Sequence, residues 1–168
     1  MPPEKSSGKN STVGVIGTIN RDTIYHPDGR RIDSWGGLLY SLKYLNDHSG
    51  AKILPAINVG SDCFDDISAI VGRMANIDSS HVRKVDAKNN HCHLFYANET
   101  HKCEHLEGSV PPLTYTRVKS LSECDMILVN FISGNDISLS ALERLRCDHS
   151  GKIYTPFRPF GVKSTPAF

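Results

Sequence analysis

Three short apolar runs, each followed by a stretch of helical spacing, constrain this chain more than any other feature. Residues 13–19 (VGVIGTI), 52–59 (KILPAINV) and 126–132 (MILVNFI) read as buried strands. Leu38, Leu39, Leu42 and Leu45 recur at helical spacing after the first, with Gly50 as the stop signal. Phe64, Ile67, Ile70, Val71 and Met74 do so after the second, within 63–75, and Leu139, Leu142 and Leu145 after the third. Residues 114–121 fit a short helix, and 152–155 begin a fourth strand. Strand alternating with helix predicts a parallel sheet with helices on its faces. Pro55 cannot donate to a ladder, which argues against a central place for the second strand.

Two segments depart from this rhythm. Within 23–34, Pro27-Asp28-Gly29 is a turn signal between short extended pieces and predicts a small hairpin. Residues 81–87 and 91–107 are strand-like but polar. Asn98-Glu99-Thr100 is the turn of an antiparallel hairpin with one wet face. A turn centred on Glu99 puts His93 opposite His105 and Phe95 opposite Cys103.

Composition narrows the function classes. Lys and Arg number 19 against 18 Asp and Glu, a net charge of +1, which excludes a strongly basic nucleic-acid binder. No apolar run approaches the ~18–20 residues that cross a bilayer, so no membrane partner is expected. Residues 1–12 lack an apolar signal core and read as a disordered leader. Five scattered cysteines without such a signal read as reduced thiols of a cytoplasmic protein.

Three groups of residues carry candidate chemistry. The first is the strand end Gly17-Thr18-Ile19-Asn20-Arg21-Asp22. Ligands of open parallel sheets bind just outside the carboxyl ends of strands. An amide beside a carboxylate there can both donate to and accept from adjacent hydroxyls. The plain alternative is a turn in which Asn20 and Asp22 bond only local backbone. The second is Trp35-Gly36-Gly37, where a helix start without side chains lets backbone approach a ligand, or simply initiates a helix. The third is His91-Cys92-His93 with His101, Cys103 and His105. Imidazole and thiolate are zinc ligands, although the spacing is not that of a known zinc motif; the alternative is an exposed face rich in histidine.

The stretches GTINRDTI, WGGLLYSLKYL and ILPAINVGSDCFDDI, in that order, resemble the N-terminal half of the ribokinase-like PfkB carbohydrate kinases over roughly residues 12–155. The resemblance implies a partial ribokinase-like α/β fold, a mainly parallel sheet flanked by helices with an antiparallel β-lid at about 81–107. Residues 13–155 would then be the N-terminal part of the kinase domain. It further implies that Asn20 and Asp22 hold sugar hydroxyls and that Gly36 and Gly37 bring the helix start to the substrate. Ser41 stands where ribokinases carry a sugar-binding Asn. Asp65 stands where many members have Gly.

The resemblance also marks what this sequence lacks. The family's Gly-Ala-Gly-Asp turn, with its anion hole and general base, has no counterpart in it, and Gly161-Val162-Lys163-Ser164 is not a phosphate loop. No catalytic residue, cofactor or metal is therefore assigned to the chain, while ATP and Mg²⁺ are implied for a full-length enzyme. Residues 156–168 (PFRPFGVKSTPAF) contain three prolines and no periodicity, and read as an irregular tail unlike the family. The leading expectation is a truncated carbohydrate kinase that keeps part of a sugar or nucleoside site, with a possible homodimer through the β-lid. A non-catalytic sugar-binding or regulatory remnant and a zinc-binding structural protein are the alternatives.

Overall fold

The computed structural model describes residues 11–98 and 101–155. Residues 1–10 of the expected leader, Glu99 and Thr100 of the expected turn, and the tail at 156–168 lie outside the described residues, whereas Thr12, expected in the leader, opens the first strand, where its N–H donates to Asp125 Oδ2 at 2.7 Å. In chain order the elements are β1 (Thr12–Ile16), β2 (Ile19–Tyr25), β3 (Arg31–Gly37), α1 (Leu38–His48), β4 (Lys52–Gly60) and α2 (Phe64–Val71). There follow β5 (Val82–Val85), β6 (His91–Tyr96), β7 (Lys102–Glu107), α3 (Tyr115–Val118), β8 (Met126–Val129), α4 (Leu139–Asp148) and β9 (Lys152–Tyr154). They build a parallel five-stranded sheet of order β5-β4-β1-β8-β9 and a four-stranded sheet of order β3-β2-β6-β7.

The parallel sheet is buried on both faces, as its unbroken apolar strands require. On one face Val13, Val15, Ile53, Ile57 and Val59 pack with Leu38 and Leu42 of α1 and Ile67 and Val71 of α2. On the other, Ile16, Ala56, Ile127 and Val129 pack with Val118, Leu121, Ala141 and Leu145. Pro55 is accommodated although β4 has neighbours on both sides. The Ile53 N–H and C=O face Asn76 and Asp78, and by strand alternation the Pro55 nitrogen faces that same edge. There the chain is occupied by the short helical turn Ser79–His81, and β5 pairs only from Ile57 onward.

The apolar runs mark the strands but overrun their ends. The first run is two strands: β1 stops at Ile16 and Ile19 opens β2 in the other sheet. Gly17 sits between, so close beneath Asn130 that a Cβ would meet its carbonyl oxygen at 2.7 Å. Asn20-Arg21-Asp22 is consequently not a turn but the middle of β2. Likewise β8 ends at Val129, because the chain beyond it is gathered around the Asp136 carboxylate. Gly36 and Gly37 close β3, with Gly37 as the cap of α1. Ser49, extended, ends that helix one residue before Gly50.

The small sheet is assembled from two separate hairpins. β2 and β3 are antiparallel, β6 and β7 are antiparallel, and β2 joins β6 in parallel. The expected pairs His93 with His105 and Phe95 with Cys103 are present. The polar stretch from 81 is a correction, since Val82–Val85 pairs with Ile57–Gly60 at the edge of the parallel sheet and takes no part in the small one. Its two half-buried valines are too brief a signal to separate it from the hairpin that follows.

Candidate functional site

The two sheets meet at the carboxyl ends of β1, β4 and β8, and buried asparagines fasten the junction. Asn89 Oδ1 accepts the Gly60 N–H at 3.1 Å, and Asn89 Nδ2 donates to the Ile19 carbonyl at 2.9 Å. The Asn89 N–H donates to Asp62 Oδ1 at 2.9 Å. Asn90 Oδ1 accepts the Val110 N–H, and its carbonyl accepts the Arg21 N–H, both at 2.9 Å. The Val59-Gly60-Ser61-Asp62 turn thus holds the crossing from β5 into β6.

Strand alternation gives the small sheet two unlike faces. Asn20, Asp22, Gly36, Cys92, Leu94, Glu104 and Leu106 share the face turned to the junction. A cavity of about 430 Å³ opens there, lined by Asn20, Asp22, Gly37, Cys92, Leu94 and Glu104 together with Leu106, Ile132 and Ser133. That volume falls within the ~300–1,000 Å³ of small-molecule sites. A larger groove of about 700 Å³ runs along α4 and β9, and none of the residues singled out from the first half of the sequence lines it.

Of the five predicted site residues, Asn20, Asp22 and Gly37 line this one cavity. Gly36 lies against Asp22, whose carboxylate covers its Cα. Ser41 is one helical turn into α1 and accepts a hydrogen bond from Asn130 Nδ2 at 3.1 Å, which ties the helix start to the end of β8. Gly37 has φ 63°, and a Cβ on it would stand 2.6 Å from the Thr18 carbonyl oxygen. The next amide, Leu38 N–H, donates to that same carbonyl at 2.8 Å.

Electrostatically the cavity is acidic. Partial burial, and then the neighbouring Glu104, push the Asp22 pKa up, while Lys102 opposes them. The Cys92 thiol is likewise pushed up, first by burial and then by Glu104 and Asp22. Lys102 Nζ lies 2.5 Å from Glu104 Oε1. The cavity therefore offers carboxylate acceptors, one amide and apolar walls, a set suited to a neutral polyhydroxylated ligand and unsuited to an anion.

Sequence reading missed Asp136, which shapes the remaining wall. Its Oδ2 accepts the backbone N–H groups of Ile132, Ser133 and Gly134 at 3.0–3.1 Å. Its Oδ1 accepts the Thr18 hydroxyl at 2.7 Å. One buried carboxylate thus positions Ile132 and Ser133 and joins them to the segment leading into Asn20. The only available signal was an Asp two residues beyond Gly134, which reads as an ordinary turn.

Comparison with protein-family models and with curated proteins gives no match. Solved structures do match. Ribokinase from Giardia lamblia superimposes with a TM-score of 0.68 at 14% identity, over 92% of this chain and 53% of that one. The fold is that of the ribokinase-like kinases. An uncharacterized sugar kinase from Pyrococcus horikoshii matches at TM-score 0.68 and 14% identity, covering 88% of this chain and 54% of that one. A pyrophosphate-dependent kinase of the ribokinase family, complexed with a pyrophosphate analog and myo-inositol, matches at TM-score 0.64 and 15% identity, over 83% and 47%. The chain spans about half the length of these ribokinase-like structures. No helix among the described residues is long and apolar enough to cross a membrane.

The histidine-rich group divides between the two faces. Cys92 faces the cavity, and His101 bonds Asn98 at the hairpin turn. His91, His93, Cys103 and His105 share the opposite, outer face.

Proposed function

We propose that this chain is the hydroxyl-binding part of a carbohydrate kinase, with Asn20 and Asp22 holding adjacent hydroxyls of a sugar or nucleoside. The single observation that carries this reading is the convergence of Asn20, Asp22 and Gly37 on one cavity at the carboxyl ends of the parallel strands. Asn20 donates from its amide and accepts through its carbonyl, while Asp22 accepts only, so a vicinal diol satisfies both. Leu94, Leu106 and Ile132 supply apolar surface for the ring. The small sheet serves as the lid.

Phosphate transfer needs more than this chain's residues offer. ATP and Mg²⁺ belong to the proposed full-length reaction, and transfer there is chiefly positioning and charge stabilisation. With no Gly-Ala-Gly-Asp turn in the 168 residues, we assign the chain binding and no general base. A homodimer through the lid and a cytoplasmic location complete the proposal. Exposed Phe95 and Ile32 on the lid support the first, and five unbonded cysteines support the second.

Calorimetric titration of pentoses, hexoses, inositols and nucleosides into wild type and Asp22→Ala tests the reading. A ligand that binds the wild type and loses at least about tenfold in the variant is expected, since a lost charged hydrogen bond is worth ~1.5–3 kcal/mol. Equal affinity for both proteins would remove the site assignment. ATP-dependent phosphorylation by the purified chain would overturn the assignment of binding without transfer.

A further inference from the structure

The outer face of the small sheet carries chemistry that the cavity does not use. One ligand nitrogen from each of His91 and His93 and a carboxylate oxygen of Glu107 lie within 4.8 Å of one another. His91 and Glu107 are directly opposite across β6 and β7, and His93 follows two residues on, on the same face. We propose that His91, His93 and Glu107 form a binding site for a divalent first-row cation of the zinc type.

The donor set fits that ion. Zinc takes imidazole nitrogen at ~2.0–2.1 Å and carboxylate oxygen at ~2.0–2.2 Å, so tetrahedral ligand atoms stand about 3.4 Å apart. Side-chain adjustment of roughly an ångström brings the three groups to that spacing. His93 Nε2 and Glu107 Oε2 are already 3.4 Å apart. His105, opposite His93 with ring centroids 6.2 Å apart, offers a third imidazole on the same face.

A hydrogen-bond relay behind the cluster fixes one ligand. Thr23 Oγ1 stands 2.6 Å from Asp33 Oδ1 and 2.8 Å from His91 Nε2. Asp33 is held ionised by its bonds from Thr23 and Arg31, which draw its pKa down, so it accepts the one hydroxyl proton of Thr23. The Thr23 oxygen must then accept from His91 Nε2–H, which leaves Nδ1 with its lone pair. Metal-ligating histidines are commonly oriented in this way, through the nitrogen that does not bind the metal. The His91 and His93 rings lie side by side on the same face, with centroids 4.0 Å apart. The His93 ring lies roughly parallel to those of Tyr25 and Phe95, with centroids 6.1 and 6.4 Å away, and its side chain is only 17% exposed.

The test uses the full chain with Zn²⁺ for affinity and Co²⁺ as a spectroscopic probe. Equilibrium dialysis should give one tightly held Zn²⁺ per chain, and Co²⁺ should develop the intense visible d–d bands of a low-coordinate nitrogen and oxygen site. His93→Ala and Glu107→Gln should each weaken uptake by about tenfold or more. Imidazole NMR of the wild type needs no variant: Zn²⁺ should shift the His91 and His93 ring nitrogens before those of His26, His48, His81 or His149. Uptake unchanged in both variants, no uptake by the wild type, or first shifts at the other histidines would each overturn the proposal.

Discussion

The Asp22 carboxylate occupies the space in which a Cβ on Gly36 would sit. The two residues are diagonal neighbours on adjacent strands and share one face, two residues out of register, since Asn20 pairs with Gly36 and Asp22 with Ser34. Gly36 therefore acts through Asp22, letting the carboxylate lie across β3 toward the cavity.

Gly36→Ala and its neighbour Gly37→Ala should fail in opposite ways. At Gly36 the obstruction is a side chain that can swing aside, so Ala should cost less than about 1 kcal/mol of stability. It should nonetheless weaken hydroxyl binding by about tenfold, because Asp22 is displaced. At Gly37 the obstruction is the Thr18 carbonyl and φ is 63°, so Ala should cost about 2–3 kcal/mol. Urea denaturation paired with sugar titration separates the two outcomes.

Asp22→Asn should bind sugar worse yet melt no lower than wild type at neutral pH. Burial and Glu104 raise the Asp22 pKa from its ordinary 3.8, with Lys102 opposing. Between 3.8 and the raised folded value the native chain binds more protons than the unfolded one, so stability falls as pH rises through that window. The amide carries no such penalty. The melting difference between variant and wild type should shrink as pH falls below 3.8, and a constant difference across pH would contradict a penalty arising from burial and Glu104.

Asn89→Ala should loosen the small sheet from the large one. It strips partners from the Gly60 N–H and the Ile19 carbonyl, both at the buried junction. The expected loss is about 2–4 kcal/mol, two unsatisfied groups at ~1–3 kcal/mol each. Hydrogen exchange should show β6 and β7 losing protection before β1 and β4 do.

Asp136→Ala should cost at least about 3 kcal/mol, because three backbone N–H groups and the Thr18 hydroxyl lose one shared acceptor. Sugar affinity should fall with it, as Ile132 and Ser133 leave the cavity wall. Asp136→Asn keeps an oxygen for part of this set and should fall between the two, measured by denaturation and calorimetry together.

Sequence reading succeeded where a residue's environment is set by its own pattern. The apolar runs in β1, β4 and β8 mark strands buried on both faces, and the 91–107 hairpin register follows from counting back from its turn. It failed where tertiary contacts override type. Asn20 and Asp22 are turn formers by type, yet pairing with β3, and from Arg21 onward with β6 as well, keeps the segment extended. Val82–Val85 is too short and too polar to announce that it joins a buried sheet. Asn89 and Asp136 carry buried hydrogen bonds that no spacing in the sequence reveals.

The parallel join of β2 to β6 brings together residues far apart along the chain, Thr23 and His91 being separated by 68 positions. During synthesis the β2–β3 hairpin must wait, unsupported, until the β6–β7 hairpin has left the ribosome, and an isolated two-stranded hairpin is marginal in water. Such long-range pairing forms late and slowly. The cavity face of the small sheet thus waits on this pairing, and through that interval Ile24 and Ile32 remain open to mispairing with other nascent chains.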